Sequence, residues 1–339
     1  MLIEENYNLK KLNTFAISAK ANFYASFSNT DELIELLQIC KKNNQIPFVL
    51  GGGSNMLLTK DLDAFVLKNE LVGIEIIEES LAHVIVEVGG GEVWHNFVLR
   101  CIDNDWSGVE NLSLIPGSVG AAPIQNIGAY GVELKDCFES LDALNKETLE
   151  LETFSAKDCG FAYRDSVFKG KFKNQYVITS VQFRLSKTPD LKTSYGAIQD
   201  ELKKMGSDTN PTIVDVSNAI ITIRKSKLPN PAEIGNSGSF FKNPIIDFSV
   251  FESLIAQHPD ILNYPLENGK VKLAAGWLIE KAGWKGKQVG DAGMHSKQAL
   301  VLVNYGKATG AELLAVSKQV QADVYQMFKI SLEAEVNIL

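Results

Sequence analysis

The chain has 339 residues, 45% of them hydrophobic and 22% charged, which is the composition of a folded globular protein of two or three domains and not of a disordered chain. Its net charge of −8 argues against a protein that coats nucleic acid, although a local basic pocket for a phosphorylated small molecule remains compatible with it. Scattered cysteines and histidines without a C-x-x-C pair disfavour a metal site and a disulfide framework, and reduced thiols in a cytoplasm are the simplest interpretation of the cysteines. The lack of a long apolar run argues against a membrane span, and the acidic N-terminus without an apolar region argues against a secretory signal.

The first half of the chain alternates between helical and strand patterns. Apolar residues recur at helical spacing from 30 to 44, where Asn29 and Glu32 form a candidate capping box. Val84, Val86 and Val88 alternate with other residues, as in a strand. The elements predicted here are a helix over 30–44, strands over 46–50 and 84–88, a helix over 92–104, and strands within 138–154 and 176–185.

The second half begins with a candidate domain boundary over 186–211, which contains proline, glycine, aspartate and asparagine. Ser249 with Glu252, and Thr309 with Glu312, form candidate N-terminal capping pairs. The elements predicted here are helices near 215–224, from 249, over 272–282 and from 309, a loop over 229–243 and a strand over 301–304. The apolar stripe of the last helix is expected to consist of Leu313, Val316, Val320, Val324 and Met327. The whole pattern predicts an α+β protein.

A glycine-rich turn follows the predicted strand at 46–50. It consists of Gly51, Gly52, Gly53, Ser54 and Asn55. Three glycines let backbone N–H groups approach an anion closely, and the serine and asparagine add hydrogen-bond donors. A tight turn without a ligand is the simpler alternative. Neither G-x-G-x-x-G nor G-x-x-x-x-G-K-[ST] occurs in the chain, so the sequence lacks the standard nucleotide loops.

Residues 108–131 form a long segment of mostly small residues with little periodicity, and no lysine, arginine or histidine interrupts it. Such a segment can follow a flat, extended ligand closely and bind it through backbone hydrogen bonds. We therefore interpret it as one wall of a cofactor site, with an ordinary glycine-rich loop as the alternative.

Three shorter segments carry side chains that are suited to chemistry. In 161–166, Arg164 lies between an aromatic and an acidic residue, which suits either an anion contact or a salt-bridged core element. The basic run 224–229 suits either a bound diphosphate or the solvated end of a helix. In 236–244, Ser239 lies between a glycine and two phenylalanines, which suits either a positioned proton donor or a simple turn.

Taken together and in this order, these segments closely resemble those of the UDP-N-acetylenolpyruvoylglucosamine reductase family. The similarity covers almost the whole chain, and the loop with Tyr264-Pro265 resembles the longer of the two architectural types in the family. Ala334 stands where the family motif has proline. The segments that carry the resemblance are Asn13-Thr14-Phe15, Gly51–Asn55, Gly108–Gly131, Tyr163–Ser166, Lys227-Leu228-Pro229, Gly238–Pro244, Lys272–Glu280 and Leu332–Val336.

The resemblance implies an α+β fold in three parts. A two-part FAD-binding unit of the vanillyl-alcohol-oxidase or PCMH-like type would comprise 1–68 and 69–208, and a C-terminal α+β substrate-binding domain would comprise 209–335, followed by a tail at 336–339. The resemblance also implies an NADPH-dependent reduction, mediated by non-covalent FAD, of UDP-N-acetylglucosamine enolpyruvate to UDP-N-acetylmuramate in peptidoglycan precursor synthesis. It implies no nucleic-acid partner, membrane insertion or obligate protein partner.

By motif position, the resemblance implies roles for individual residues. The expected catalytic residues are Tyr163, Arg164, Ser239 and Glu335. The residues expected to bind FAD are Gly51, Gly52, Gly53, Ser54, Asn55, Pro116, Gly117, Ser118, Gly120, Ala121, Asn126, Gly128, Ala129, Tyr130 and Gly131. The residues expected to bind the substrate are Tyr195, Arg224, Lys227, Asn243, Tyr264 and Gln298.

Two other functions are alternatives to this reductase. A related flavoprotein oxidase acting on an alcohol would often attach FAD to a histidine or cysteine, and neither type occurs in 51–82 or 102–136. A non-enzymatic UDP-sugar sensor would be expected to have lost Arg164, Ser239 or Glu335, and all three are present. Reaction of the reduced flavin with O₂ would identify the oxidase, and a lack of NADPH oxidation with the enolpyruvyl substrate would identify the sensor.

Overall fold

The structure is a computed structural model that describes residues 2–266 and 269–339. Two compact units make up the chain. The first unit comprises the residues up to Tyr7, Ala21–Gly52 and Asp63–Ser226, and the second comprises Asn8–Lys20, Gly53–Leu62 and Lys227–Leu339. The division into three domains at residues 68 and 208 stays a prediction.

The strands of the described residues vary from two to eleven residues in length. In chain order they are β1 (Glu4–Asn8), β2 (Lys20–Phe27), β3 (Pro47–Leu50), β4 (Met56–Leu57), β5 (Leu62–Asn69), β6 (Ile74–Glu79), β7 (His83–Gly89), β8 (Gly128–Ala129), β9 (Val132–Glu133), β10 (Phe138–Asn145), β11 (Leu151–Ser155), β12 (Tyr176–Ser186), β13 (Gly235–Ser239), β14 (Ile245–Asp247), β15 (Asn263–Leu266), β16 (Lys270–Leu273), β17 (Gln288–Val289), β18 (Ala292–Met294), β19 (Val301–Asn304) and β20 (Asn337–Ile338).

The helices of the described residues, apart from short 3₁₀ turns, are α1 (Thr30–Lys42), α2 (Trp94–Asp103), α3 (Ala156–Cys159), α4 (Gly196–Met205), α5 (Ile213–Lys227), α6 (Phe248–Gln257), α7 (Ala275–Lys281) and α8 (Gly310–Phe328). Every helix among the described residues is too short or too polar to span a bilayer.

The first unit is built around two sheets. One has the strand order β1-β2-β5-β3, in which β3 runs parallel to β5, and the other is an antiparallel sheet with the order β11-β10-β12-β7-β6. Helix α1 packs its apolar face on β2 and β5. Helix α2 packs Trp94 and Phe97 on Phe183 of the antiparallel sheet. These cores fix the strand ends from which the glycine-rich turns emerge.

The second unit contains an antiparallel sheet with the order β13-β19-β18-β17, a small antiparallel sheet with the order β14-β16-β15, and the parallel pair of β20 and β4. All four residues of β19 are buried. Helix α8 packs closely on β18 and β19, so β19 forms the centre of a hydrophobic core. The edge strand β13 is thereby held on a rigid support.

The capping pairs predicted at the starts of α1, α6 and α8 are only partly confirmed. The α8 prediction is confirmed, because Thr309 and Glu312 close a reciprocal capping box. Asn29 caps α1 as predicted, but the Glu32 carboxylate accepts from the backbone and hydroxyl of Ser28 instead of closing the box. The α6 signal is wrong, since the helix begins at Phe248 without a side-chain cap.

Two further expectations need correction, and one helix was not predicted. The unpredicted helix is α4, which lies within the candidate boundary segment 186–211 and packs against α5. The predicted loop at 229–243 contains β13, which consists of glycine, asparagine and serine and depends on pairing with β19. Met327 is 52% exposed, so the buried stripe of α8 does not include it.

Candidate active site

The first two glycines of the turn lie against Gly117 and Ser118 of the small-residue segment. A Cβ atom added to Gly51 would stand 2.3 Å from the Ser118 Oγ atom, and one added to Gly52 would stand 2.8 Å from the Gly117 Cα atom. The Ser118 hydroxyl is buried and has no hydrogen-bond partner among the described residues. Because buried polar groups are rarely left without a partner, this cradle has the properties of a ligand site.

Lys68 belongs to this cradle and is not predicted from the sequence. It lies near the end of β5, and its ammonium group donates a hydrogen bond of 2.9 Å to the Gly51 carbonyl oxygen. Burial lowers the pKa of Lys68, and the charge of Glu70 opposes that shift. The available signal was a lone lysine after the apolar run at 64–67.

The rest of the turn, Gly53 to Asn55, belongs to the second unit. Gly53 has a φ of +61°, and a Cβ atom there would stand 1.9 Å from the Leu12 carbonyl oxygen, so the position requires glycine. The Asn55 amide donates to the Glu335 carbonyl oxygen at 3.3 Å, and Asn337 donates to the Asn55 carbonyl oxygen through its backbone and its side chain. The turn is therefore tied to the end of the chain.

The segment that leads to Pro116 is held from two sides at Leu114, which has a φ of +58°. Its N–H donates to Nδ1 of His95 at 3.0 Å, and its carbonyl oxygen accepts from Nε of Arg224 at 3.3 Å. Burial and the charges of Arg224 and Lys225 lower the pKa of His95, which keeps Nδ1 available as an acceptor. The sequence did not identify His95, whose only signal is its place on the helix at 92–104.

Asn126 uses its side chain within the first unit. Its amide donates to the Glu133 carboxylate at 2.9 Å and to the Ala162 carbonyl oxygen at 3.1 Å, and its oxygen accepts from the Lys135 N–H at 3.1 Å. Asn126 also has a φ of +44° and ends a short 3₁₀ turn. A contact of Asn126 with FAD would therefore come most readily from its backbone.

Other predicted FAD residues of this segment lie where two stretches of backbone meet. The Gly120 N–H donates to the Gly90 carbonyl oxygen at 2.9 Å, and a Cβ atom on Gly120 would stand 2.9 Å from the Gly90 Cα atom. Gly128 and Ala129 form β8, and Gly131 has a φ of +84° in the turn to β9. The segment thus owes its small residues to close backbone packing as well as to any ligand.

Arg164 and Tyr163 lie in a turn of the first unit. The Arg164 backbone has a φ of +55°, a left-handed conformation that is uncommon for a residue with a side chain. Its guanidinium lies 5.5 Å from the centre of the Tyr163 ring and donates to the Gly128 carbonyl oxygen at 2.7 Å. The strained backbone and these contacts orient a cation next to the small-residue segment.

Tyr130, Tyr195 and Arg224 come together in the first unit. The two tyrosine rings pack edge to face with their centres 5.4 Å apart, and the Arg224 guanidinium hydrogen-bonds the Tyr130 hydroxyl. Burial raises the pKa of Tyr130, while burial and the charge of Arg164 lower that of Arg224. The positive charges of Arg164 and Arg224 therefore act on the same region, and their combined potential attracts an anion to it.

Ser239 ends β13 in the second unit. It pairs with Val301 of β19, and the preceding Gly238 has a φ of +70°. The Gly238 N–H donates to the side-chain oxygen of Asn236, which shapes the turn before the serine. Ser239 itself is half-buried, and its pairing with β19 holds it on a rigid strand.

Glu335 lies beside the segment that carries Ser239. The Glu335 N–H donates to the Phe240 carbonyl oxygen at 2.8 Å, and the neighbouring Ala334 pairs with Phe241. Glu335 is half-buried. The fold thus brings two of the predicted catalytic residues into one region of the second unit.

The remaining four predicted substrate residues lie in the second unit, each in different surroundings. Lys227 is exposed at the last position of α5. The Asn243 oxygen accepts from the Ala275 N–H at 3.0 Å, at the start of α7. Tyr264 is 43% exposed, and its ring centre lies 5.5 Å from the Lys272 ammonium. The Gln298 side-chain oxygen accepts from a backbone N–H in the turn before β19.

Comparison with curated proteins found close relatives over the full length. The chain is 53% identical to the UDP-N-acetylenolpyruvoylglucosamine reductase of Flavobacterium johnsoniae, with 100% of both chains covered. It is 48% identical to the reductase of the same name from Pseudomonas savastanoi pv. phaseolicola, over 99% of this chain and 98% of the relative. It is also 48% identical to that from Amoebophilus asiaticus, over 100% of both chains.

Family models match both halves of the chain. Residues 230–339 match the C-terminal domain of UDP-N-acetylenolpyruvoylglucosamine reductase, and residues 21–152 match an FAD binding domain.

Solved structures share the fold. The reductase from Thermus caldophilus matches with a TM-score of 0.70 at 22% identity, over 100% of this chain and 99% of that chain. A p-cresol methylhydroxylase matches with a TM-score of 0.52 at 12% identity, over 98% and 84%. The predicted α+β fold with an FAD-binding unit of this type is confirmed.

Proposed function

Because the chain belongs to the UDP-N-acetylenolpyruvoylglucosamine reductase family, we propose that the residues described above bind FAD and the nucleotide sugar and carry out the family's reaction. The protein is an FAD-dependent oxidoreductase that reduces UDP-N-acetylglucosamine enolpyruvate to UDP-N-acetylmuramate with NADPH, a reaction of peptidoglycan precursor synthesis. The observation that carries this conclusion is 53% identity over the whole chain to a reductase of that name.

The cradle of Gly51, Gly52, Gly117 and Ser118 has the features needed for FAD. The buried Ser118 hydroxyl lacks a partner, and the glycines let backbone approach a phosphate closely. When FAD is bound and reduced by NADPH, it supplies the hydride for the reaction. Gly53, Ser54, Asn55 and the backbone of 116–131 complete the proposed FAD-binding set.

Arg164 has the proposed role of binding the substrate carboxylate. The enolpyruvyl group is a double bond conjugated to a carboxylate, so its reduction places negative charge on C2 and on the carboxylate oxygens. A guanidinium remains charged and can bind a carboxylate through two parallel hydrogen bonds. Because Arg164 is oriented by Tyr163 and Gly128, it stabilises that charge without having to reorganise.

Ser239 is the proposed proton donor to C2. A hydroxyl is a weak acid, so its donation depends on exact placement and on the basicity of the carbon that develops negative charge. The rigid pairing of Ser239 with the buried Val301 supplies that placement. In its protonated form, Glu335 would help to polarise the enolic carboxylate.

An anaerobic assay tests the proposed function directly. Purified protein, FAD, NADPH and UDP-N-acetylglucosamine enolpyruvate should give loss of NADPH absorbance that matches the formation of a product heavier by two hydrogen atoms. In a parallel aerobic assay, NADPH consumption that needs O₂ but no enolpyruvyl substrate would instead support an oxidase.

We propose that FAD is held without a covalent bond. The motive is that neither histidine nor cysteine occurs in 51–82 or 102–136. After acid denaturation and centrifugation, the yellow colour should appear in the supernatant. Colour that stays with the precipitated protein would contradict this prediction, and an absorption spectrum before denaturation serves as its control.

Lys227 is proposed to bind a phosphate of the substrate. Replacing it by alanine should weaken the binding of the UDP-sugar by about 10–100-fold, the contribution of one charge-assisted hydrogen bond. Titration of the flavin fluorescence measures this affinity. Lys203→Ala, at an exposed position in the last turn of α4, is the matched control and should leave the affinity unchanged. Equal affinities in the two variants would return Lys227 to the role of a solvated helix end.

The cytoplasmic location expected from the sequence is also a proposal. The four cysteines are buried thiols, which suits a reducing compartment. Burial raises the pKa of Cys40 to about 11 and that of Cys159 to about 12, so these thiols are unreactive in the folded protein.

A further inference from the structure

His295 lies in one lateral row with Ser239. The His295 N–H donates to the Val301 carbonyl oxygen at 2.9 Å, which continues the register in which Met294 of β18 pairs with Leu302. Val301 pairs on its other side with Ser239. The register of β13 shifts between Asn236 and Ser239, and the pairing of Ser239 with Val301 follows that shift. Laterally paired residues project to the same face of a sheet, so His295 and Ser239 face the same side, two strand spacings or about 9–10 Å apart.

The chemistry of His295 identifies which of its nitrogens is available. The residue is only 8% exposed, and its Nδ1 atom is buried without a hydrogen-bond partner among the described residues. A buried N–H without an acceptor is costly, so the favoured tautomer carries its proton on Nε2. Burial and the charge of Lys297 lower the pKa of His295, which keeps the ring neutral near pH 7.

The turn that follows His295 also carries Gln298. Because the Gln298 oxygen accepts from the Leu300 N–H, its NH₂ group is directed away from that bond and can donate. One short turn therefore presents two neutral N–H donors on the sheet that carries the proposed proton donor. Phosphate oxygens accept hydrogen bonds from such donors.

We propose that His295 is a substrate-binding residue that donates a hydrogen bond through Nε2 to the diphosphate of the nucleotide sugar. The inference rests on the proposed function, because it takes the enolpyruvyl group to lie at Ser239. In that substrate, one hexose ring separates the enolpyruvyl group from the diphosphate. These groups are carried by C3 and C1 of the ring, and their separation, lengthened by a contact of about 3 Å at each end, is of the same order as the two strand spacings between Ser239 and His295.

Three substitutions test the role of the Nε2 donor. His295→Phe keeps the ring shape without a donor, His295→Gln keeps an N–H group near the position of Nε2, and His295→Asn keeps one only near the position of Nδ1. We expect His295→Phe to weaken binding of the oxidised enzyme to UDP-N-acetylglucosamine enolpyruvate by about 10–100-fold, and His295→Gln to recover most of that loss. Binding of uridine, which has no phosphate, should not change.

The readouts separate this role from a purely structural one. At saturating substrate, the rate of flavin reoxidation in His295→Phe should stay within a few-fold of the rate in the unmodified enzyme, because His295 contacts the substrate far from the reacting carbon. His83→Phe, at a half-buried histidine on β7, is the control for loss of an imidazole. If His295→Phe does not retain FAD, the comparison of His295→Gln with His295→Asn decides.

Three results would overturn the inference: unchanged substrate affinity in His295→Phe, equal recovery by glutamine and asparagine, or a parallel loss of uridine binding. If the unmodified enzyme neither binds the nucleotide sugar nor oxidises NADPH in its presence, the proposed function fails instead. The two failures are therefore distinguishable.

Discussion

Ser239→Ala is expected to leave the reduction of the flavin by NADPH almost unchanged while slowing its reoxidation by the enolpyruvyl substrate by about 10²–10⁴-fold, the usual contribution of a positioned general acid. The serine is needed only when C2 accepts its proton, which happens in the second half-reaction. Stopped-flow absorbance of the flavin, recorded separately for the two half-reactions, measures both rates.

The strand that carries Ser239 also offers a matched control. Ser237 lies two residues earlier in β13, and its hydroxyl is buried without a partner among the described residues. Ser237→Ala removes a hydroxyl from the same strand and should reoxidise at close to the normal rate, because the proposed proton donor is Ser239. Ser239→Cys should recover part of the loss, since a thiol can also donate a proton. Equal damage to both half-reactions in Ser239→Ala would indicate a role in folding or flavin binding instead.

Glu335→Gln should slow flavin reoxidation by about 10²–10³-fold, the cost of losing one group that stabilises a developing oxyanion. The substitution keeps the shape of the side chain and removes its ionisable proton. The backbone bonds of Glu335 to Asn55 and Phe240 do not involve the carboxylate and should survive. The melting temperature should therefore hardly move, and reduction by NADPH should continue.

Glu333 provides the control for this second experiment. Its carboxylate is exposed and pairs with Lys242 at 2.6 Å. Exposed ion pairs contribute little, about 0–1 kcal/mol, so Glu333→Gln should affect neither half-reaction. Normal turnover in Glu335→Gln would remove Glu335 from the proposed catalytic set and leave Arg164 alone to stabilise the enolate.

Truncation of the chain is a poorer test of Glu335 than substitution. Residues 336–339 are held by contacts of their own, because Val336 is buried, β20 pairs with β4, and the Leu339 carbonyl oxygen accepts from Thr59. Asn337 also binds the Asn55 carbonyl oxygen in the glycine-rich turn. Deleting this segment would disturb a proposed FAD-binding residue as well as the support of Glu335.

Features that depend on residues close together in the chain could be predicted from the sequence. The start of α8 follows from Thr309 and Glu312, whose side chains and backbone groups satisfy each other within one turn. The glycine-rich turn could also be predicted, because a left-handed backbone conformation such as that of Gly53 favours glycine, and glycine is visible in the sequence. The motif resemblance then linked these segments to a function that the relatives support.

Contacts between segments that are distant in the chain became visible only in the folded protein. Strand β13 has no apolar alternation of its own and forms because the buried β19 offers it hydrogen-bond partners. Glu335 lies beside Phe240, Lys68 donates to Gly51, and His295 stands in a row with Ser239, each through contacts between residues far apart in sequence. Helix caps and turns satisfy their hydrogen bonds locally, whereas strand pairing and burial depend on which partner the rest of the chain provides.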